Sequence, residues 1–137
     1  MWKYYAILSA VFAAATAILA KVGVRDIDSN LATAIRTSVI LFITWGIVIC
    51  SGALKNIKEI NSVNIVFLCL SGIATGLSWL FYFKALQLGD ASKVAPIDKL
   101  SVALTIFLSI LILHEPADPK VILGGLLIVG GTMVIIL

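Results

Sequence analysis

The chain has 137 residues, of which 61% are hydrophobic and only 12% charged, with a net charge of +3 and a mean hydropathy of +1.15. A soluble domain carries roughly 45–50% apolar and about 25% charged residues, so a water-soluble core is excluded and lipid must solvate much of the chain. The positive balance reflects a shortage of acids, with no basic tract of the kind that grips nucleic acid or anionic lipid.

Lipid offers the backbone no hydrogen bonds, so each apolar run must satisfy itself as a helix. A span takes about 20 mostly apolar residues, and five runs meet that length: Tyr4–Ala20, Leu31–Cys50, Val63–Phe83, Val94–Leu113 and Val121–Leu137. The expected fold is an all-α integral membrane protein, one domain over residues 1–137. Lys3 and the run after it, with Ala13-Ala14-Ala15-Thr16-Ala17, also fit a cleavable secretory signal. The run nearly reaches span length and no exported domain follows, so it is read as the first span. Cys50 and Cys69 lie in apolar runs without the spacing of a disulfide or zinc site.

The connections are short and polar. Lys21–Asn30 carries Arg25, Asp26 and Asp28, and Ser51–Ser62 carries Lys55, Lys58 and Glu59. Gly89–Lys93 and His114–Lys120 complete the set, and none is long enough for an extramembrane domain. Orientation follows the excess of Lys and Arg in short cytoplasmic loops. Lys3, Lys55, Lys58 and Lys120 fall on the N-terminal side, and Lys21, Arg25, Lys84 and Lys93 on the other. Arg36 and Lys99 lie inside the runs and are left out of this count; including them tips the balance to the second side. The bias is therefore weak, and it permits insertion both ways round and an antiparallel dimer. The alternative is a single orientation set by something other than loop charge.

Small residues mark the faces on which membrane helices approach closely. The first span carries Ala6, Ala10 and Ala14, with Ser9, Ala13 and Ala17 beside them. The third carries Gly72 and Gly76 in a GxxxG match. Packing within the chain is the expectation for both. The last span has Gly124, Gly125, Gly130 and Gly131, a face suited to contact between subunits, and Thr132 as its lone polar side chain.

Ionisable groups at membrane depth are costly and mark function by default. Arg36 lies five residues into the second run, Asp98 and Lys99 four and five residues into the fourth, and Lys84 at the end of the third. Alternation of the spans puts all four toward one side, as a polar vestibule. Simpler readings stand beside this one: Arg36 and Lys99 snorkel to the interface; Asp98 is a first-turn acid if Ala95 caps a helix starting at Pro96; or Asp98 pairs with Arg36 or Lys84. Trp79, with Tyr82 and Phe83 on the same face, fits an interfacial belt or the floor of a substrate cavity. Ser9, Thr16, Ser71, Thr75 and Ser78 either meet substrate or bond back to their own helices.

The stretch from Trp79 through Lys84, Gly89-Asp90-Ala91-Ser92-Lys93, Pro96 and Asp98-Lys99 to Ser101 resembles the EamA-type domain of the drug/metabolite transporter superfamily. His114-Glu115-Pro116 and the Gly-rich last span continue the likeness, which covers essentially the whole chain. The resemblance implies five transmembrane helices forming half of a ten-helix inverted-repeat transporter, with the other half supplied by a second chain. It implies small metabolites or drugs as substrate, and Tyr82, Lys84, Pro96, Asp98 and Lys99 as the motif residues best placed for substrate or coupling. The related four-span multidrug transporters use an acid in the first span, which this chain lacks, so their drug–proton exchange does not carry over.

The expected function is therefore a secondary transporter acting as an antiparallel homodimer by alternating access. Its substrate or coupling candidates are Arg36, Trp79, Tyr82, Lys84, Pro96, Asp98 and Lys99. The alternative is an accessory subunit, non-transporting or half of a transporter, that pairs with a different membrane protein. The expected setting is the inner cell membrane, with lipid, a small-molecule substrate and a second copy as partners, and with no nucleic acid, cofactor or metal. An enzyme is disfavoured: no nucleophile–base pair or phosphate-cradling loop is present, and Asp118 capping a helix that starts at Pro119 explains the loop with the lone His114 better than a metal site does.

Overall fold

A computed structural model describes all residues, 1–137. It is 85% helix with no strand, as the hydropathy pattern requires. The helices are α1 Trp2–Gly23, α2 Ser29–Cys50, α3 Ser62–Leu88, α4 Ala91–Asp98, α5 Leu100–Ile112 and α6 Pro119–Ile136, with a 3₁₀ helix at Ala53–Glu59. Counting α4 with α5 as one interrupted span, five segments are long and apolar enough to cross a membrane. At 1.5 Å per residue, the 27 residues of α3 reach about 40 Å, more than the ~30 Å hydrocarbon layer. Helix α3 thus carries Lys84 a turn inside its end.

Each helix end has a local cause. The Asp28 carboxylate caps α2, accepting from the Asn30 N–H at 2.8 Å and the Leu31 N–H at 3.1 Å. Helix α2 stops where Gly52 takes φ +72°, a left-handed turn that glycine adopts without strain. Asp118 caps α6, accepting from the Lys120 N–H at 2.9 Å, with Pro119 in the first turn, as the sequence led us to expect. His114 has φ +53° and follows the C-cap of α5, so the single histidine serves as the left-handed terminator of that helix. The Glu115 N–H then bonds back to the Ser109 carbonyl at 3.3 Å.

The chain divides into two compact units, Ile18–Gln87 and Met1–Ala17 with Leu88–Leu137. Within the first, the buried residues Val24, Ser29, Ala32, Thr33, Phe83 and Leu86 come from the residue after α1, the start of α2 and the end of α3. Three hydrogen bonds tie this end together. Lys21 Nζ donates to the Leu86 carbonyl at 2.7 Å, and Gln87 Nε2 donates to the carbonyls of Ile27 at 2.9 Å and Val24 at 3.4 Å.

In the second unit α6 packs against both α5 and α4. Gly125 is buried, and a Cβ placed there would stand 3.1 Å from Ile106 Cδ1. Thr132, 3% exposed, donates its hydroxyl to its own Ile128 carbonyl at 2.8 Å and to the Pro96 carbonyl at 3.3 Å.

The other small faces differ from expectation. Ala6, Ser9, Ala10, Ala13 and Ala14 are exposed, and a Cβ at Gly72, Gly76, Gly124, Gly130 or Gly131 would meet nothing within 4 Å. The Ala6–Ala14 part of the α1 stripe and the GxxxG of α3 are therefore open, whereas Ala17 of α1 is buried and Gly125 meets Ile106. Close approach requires a second helix at the right register, and a GxxxG spacing specifies the face without supplying that helix.

Gly125→Leu should lower stability by about 1–3 kcal/mol, the usual cost of overfilling a packed contact. Gly130→Leu, facing open space, should leave the chain's own stability unchanged. Denaturant titration in detergent followed by circular dichroism compares the two.

Candidate functional site

The candidate residues fall into two groups, one in each unit. In the Ile18–Gln87 unit, Arg36 extends from the second turn of α2 to the aromatic face of α3. Its guanidinium carbon lies 4.2 Å from the Trp79 ring centroid and 5.3 Å from that of Phe83. Trp79 and Phe83 are four residues apart, so helical periodicity stacks them on one face. Phe83 is buried and makes an edge contact with Tyr82, centroids 6.4 Å apart at 67°, which fixes the ring against which Arg36 rests. A cation over an aromatic face gains about 0.5–1 kcal/mol when exposed and about 2 when desolvated. That is of the order of the ~2.5–3.5 kcal/mol insertion cost of an arginine at mid-span.

No carboxylate balances this charge locally, for α1, α2 and α3 contain no Asp or Glu at all. Arg36 makes no hydrogen bond or ion pair in the chain. Lys84, five residues beyond Trp79 on α3, donates to Gln87 Oε1 at 3.2 Å. It also lines a cavity of about 310 Å³ with Asp28, Ser29, Asn30, Leu77, Leu80 and Phe81. A second cavity of about 300 Å³ lies under the 3₁₀ helix, lined by Thr44, Trp45, Val48, Ala53, Asn56, Ile57 and Ile60.

Pro96, Asp98 and Lys99 belong to the other unit and mark the break between α4 and α5. The expectation that Ala95 caps a helix starting at Pro96 is corrected: the backbone carbonyl of Asp90 accepts from Lys93 and Val94 at 3.0 and 2.9 Å, so α4 begins at Ala91 and Pro96 sits inside it. Proline has no N–H to give the carbonyl one turn back, and the helix ends two residues later. Asp98 is accordingly a last-turn residue of α4, not a first-turn acid. The Asp98 carboxylate pairs with Lys99 Nζ at 3.3 Å, where the negative end of α4 meets the positive end of α5. Thr132 and the Lys99 N–H, the latter at 3.0 Å, both satisfy the Pro96 carbonyl at this break.

Thr75 bonds back to the Ser71 carbonyl at 2.8 Å, one of the two roles open to the mid-span hydroxyls. Cys50 and Cys69 are unpaired and exposed. Two residues that organise the candidate groups were missing from the sequence reading as such, Gln87 and Thr132. The available signal was the same for both: an isolated hydrogen-bonding side chain in an otherwise apolar stretch must find a partner.

Gln87→Leu removes both bonds to the 24–27 turn, at about 0.5–1.5 kcal/mol for a typical net hydrogen bond. A cysteine placed at Ile27 should react faster with a soluble maleimide in the Gln87→Leu background than in the parent, and equal rates would show that Gln87 does not hold the turn.

The sequence matches the EamA-like transporter family across residues 1–137. A protein of a Sinorhizobium species named "Uncharacterized transporter in cobO 3'region" is 47% identical over 134 residues, covering 98% of this chain and 95% of that one. No solved structure matches.

Proposed function

Because the chain belongs to the EamA-like transporter family, we propose that it is a secondary transporter of small metabolites or drugs that works in the inner cell membrane as an antiparallel homodimer by alternating access. The observation that carries the transport reading is the interrupted span: Asp98, the only acid within any of the membrane-spanning helices, sits where α4 gives way to α5. Broken helices in transporters gather free backbone groups and charges near a substrate path. The Pro96 kink, the Asp98–Lys99 pair and the Thr132 bond to Pro96 supply those elements here.

The antiparallel pairing is supported by the number of spans and by the charge balance. Five spans put the two ends of the unit on opposite sides, so a copy inserted the other way round supplies the inverted second half. With Arg36 and Lys99 set aside as lying within the spans, four Lys or Arg side chains at each side leave only a weak orientation bias. The open faces at Gly124, Gly130 and Gly131 offer the close approach that subunit contact in lipid uses. In this reading Arg36, Trp79, Tyr82 and Lys84 contact substrate, while Asp98, with Lys99 and Pro96, serves coupling.

Single cysteines at Lys58 and Lys120, and at Asp28 and Ser92, in a protein free of Cys50 and Cys69, test the pairing by labelling from outside intact cells. Comparable labelling at all four positions is expected. Labelling confined to one pair rejects the inverted homodimer and directs the search to an oppositely oriented partner chain.

Asp98→Asn keeps the side-chain shape and removes the charge. In cells supplied with a panel of radiolabelled metabolites, we expect this variant to lower accumulation or efflux by about tenfold or more, on the scale of a lost proton-transfer group, with the labelling pattern unchanged. Undiminished flux would remove Asp98 from the coupling role.

A further inference from the structure

We propose that Arg36, seated on Trp79 and Phe83, is a binding site for an anionic group, a carboxylate or a phosphate. The identification of that anion with the transported cargo rests on the transport reading above; the binding itself does not. Three observations lead there. First, the guanidinium is deep. It lies over Trp79, nine residues before the end of α3, or about 14 Å along the helix axis. A snorkelling arginine would carry its charge toward a helix end, whereas this one is laid across a ring well inside.

Second, no carboxylate on its own helices compensates the charge. The helices that hold it contain no carboxylate, and the one acid nearest in sequence, Asp28, is committed to capping α2. Aromatic faces stabilise a cation without neutralising it. A positive charge inside a low-dielectric layer then attracts a mobile anion more strongly than it would in water.

Third, the hydrogen-bonding capacity is unspent. The guanidinium carbon lies 4.2 and 5.3 Å from the two ring centroids, and none of the five N–H donors is hydrogen-bonded within the chain. That planar fork matches a carboxylate or phosphate in bidentate fashion. The Tyr82 phenol stands close enough to interact electrostatically with it, adding a polar wall to the aromatic platform.

The test uses Trp79 as the reporter. In a Trp2→Phe, Trp45→Phe background Trp79 is the only indole, and the full chain is placed in nanodiscs of zwitterionic phosphatidylcholine. Benzoate and phenyl phosphate should change Trp79 emission saturably, and the isosteric neutral benzamide should not. Arg36→Gln should weaken the benzoate response by about tenfold or more, the loss of a charge-assisted bond. Arg36→Lys, which keeps the charge but not the fork, should fall between. Equal titration by benzoate and benzamide overturns the proposal, and so does unchanged benzoate binding by Arg36→Gln. Should Arg36→Gln fail to insert, unchanged binding by Arg36→Lys overturns the assignment to the guanidinium fork.

Replacing part of the lipid with phosphatidylglycerol separates the two sources of such a group. If the lipid shifts Trp79 emission and competes with benzoate, the site takes a lipid headgroup phosphate. If benzoate binding is indifferent to it, the site takes a soluble anion. Because the titration reads binding alone, a chain that inserts in one orientation or shows no flux would still pass it. A failed titration would likewise leave the topology result standing.

Discussion

Hydrocarbon donates and accepts no hydrogen bonds, and nearly every feature of this chain follows from that constraint. It is why the backbone is helical from one connection to the next. It is also why hydroxyls within the spans turn inward on their own helices: Thr37 to Thr33, Thr44 to Ile40 and Thr105 to Ser101, at 2.7–2.9 Å. Where the backbone leaves the helix, a side chain repairs the gap. Thr132 reaches from α6 to the Pro96 carbonyl at the α4–α5 break, and Gln87 reaches from α3 to the turn after α1. The two repairs occur in different units and use the same chemistry.

The same solvent decides where charge is tolerated. Asp98 sits beside Lys99 at a helix junction whose end dipoles it can use. Arg36 has no such partner and is accommodated by two rings instead. An ion pair neutralises; an aromatic platform only supports.

The sequence was sufficient for the five apolar helices and the caps at Asp118 and Pro119, because these rest on local composition and turn chemistry. It also singled out Arg36, Trp79 and Tyr82 individually. It did not reveal that Arg36 lies on Trp79, since that depends on how α2 is rotated and staggered against α3, and periodicity fixes only which side of each helix is which. Pro96 misled for a physical reason. Proline is favoured at a helix start and disfavoured in its interior, so placing it at a start was the cheaper reading. The Asp90-Ala91-Ser92 start four to six residues earlier won instead, and proline became a breaker. The glycines show the complementary limit: of six marked as contact positions, Gly125 alone has a neighbour inside the chain.

The ties that close the Ile18–Gln87 unit join residues 60 to 65 positions apart. Synthesis therefore delivers the Val24 and Ile27 carbonyls long before Lys21, Leu86 and Gln87 can meet around them. Until α3 has been made, the Val24 and Ile27 carbonyls would lack the Gln87 donor that satisfies them in the finished chain. The turn after α1 is latched from behind, by the last turn of a helix that arrives a whole span later. A ribosome stalled before residue 86 would thus carry two inserted helices with an unsecured turn, and one stalled well after Gln87 would carry three helices already clasped.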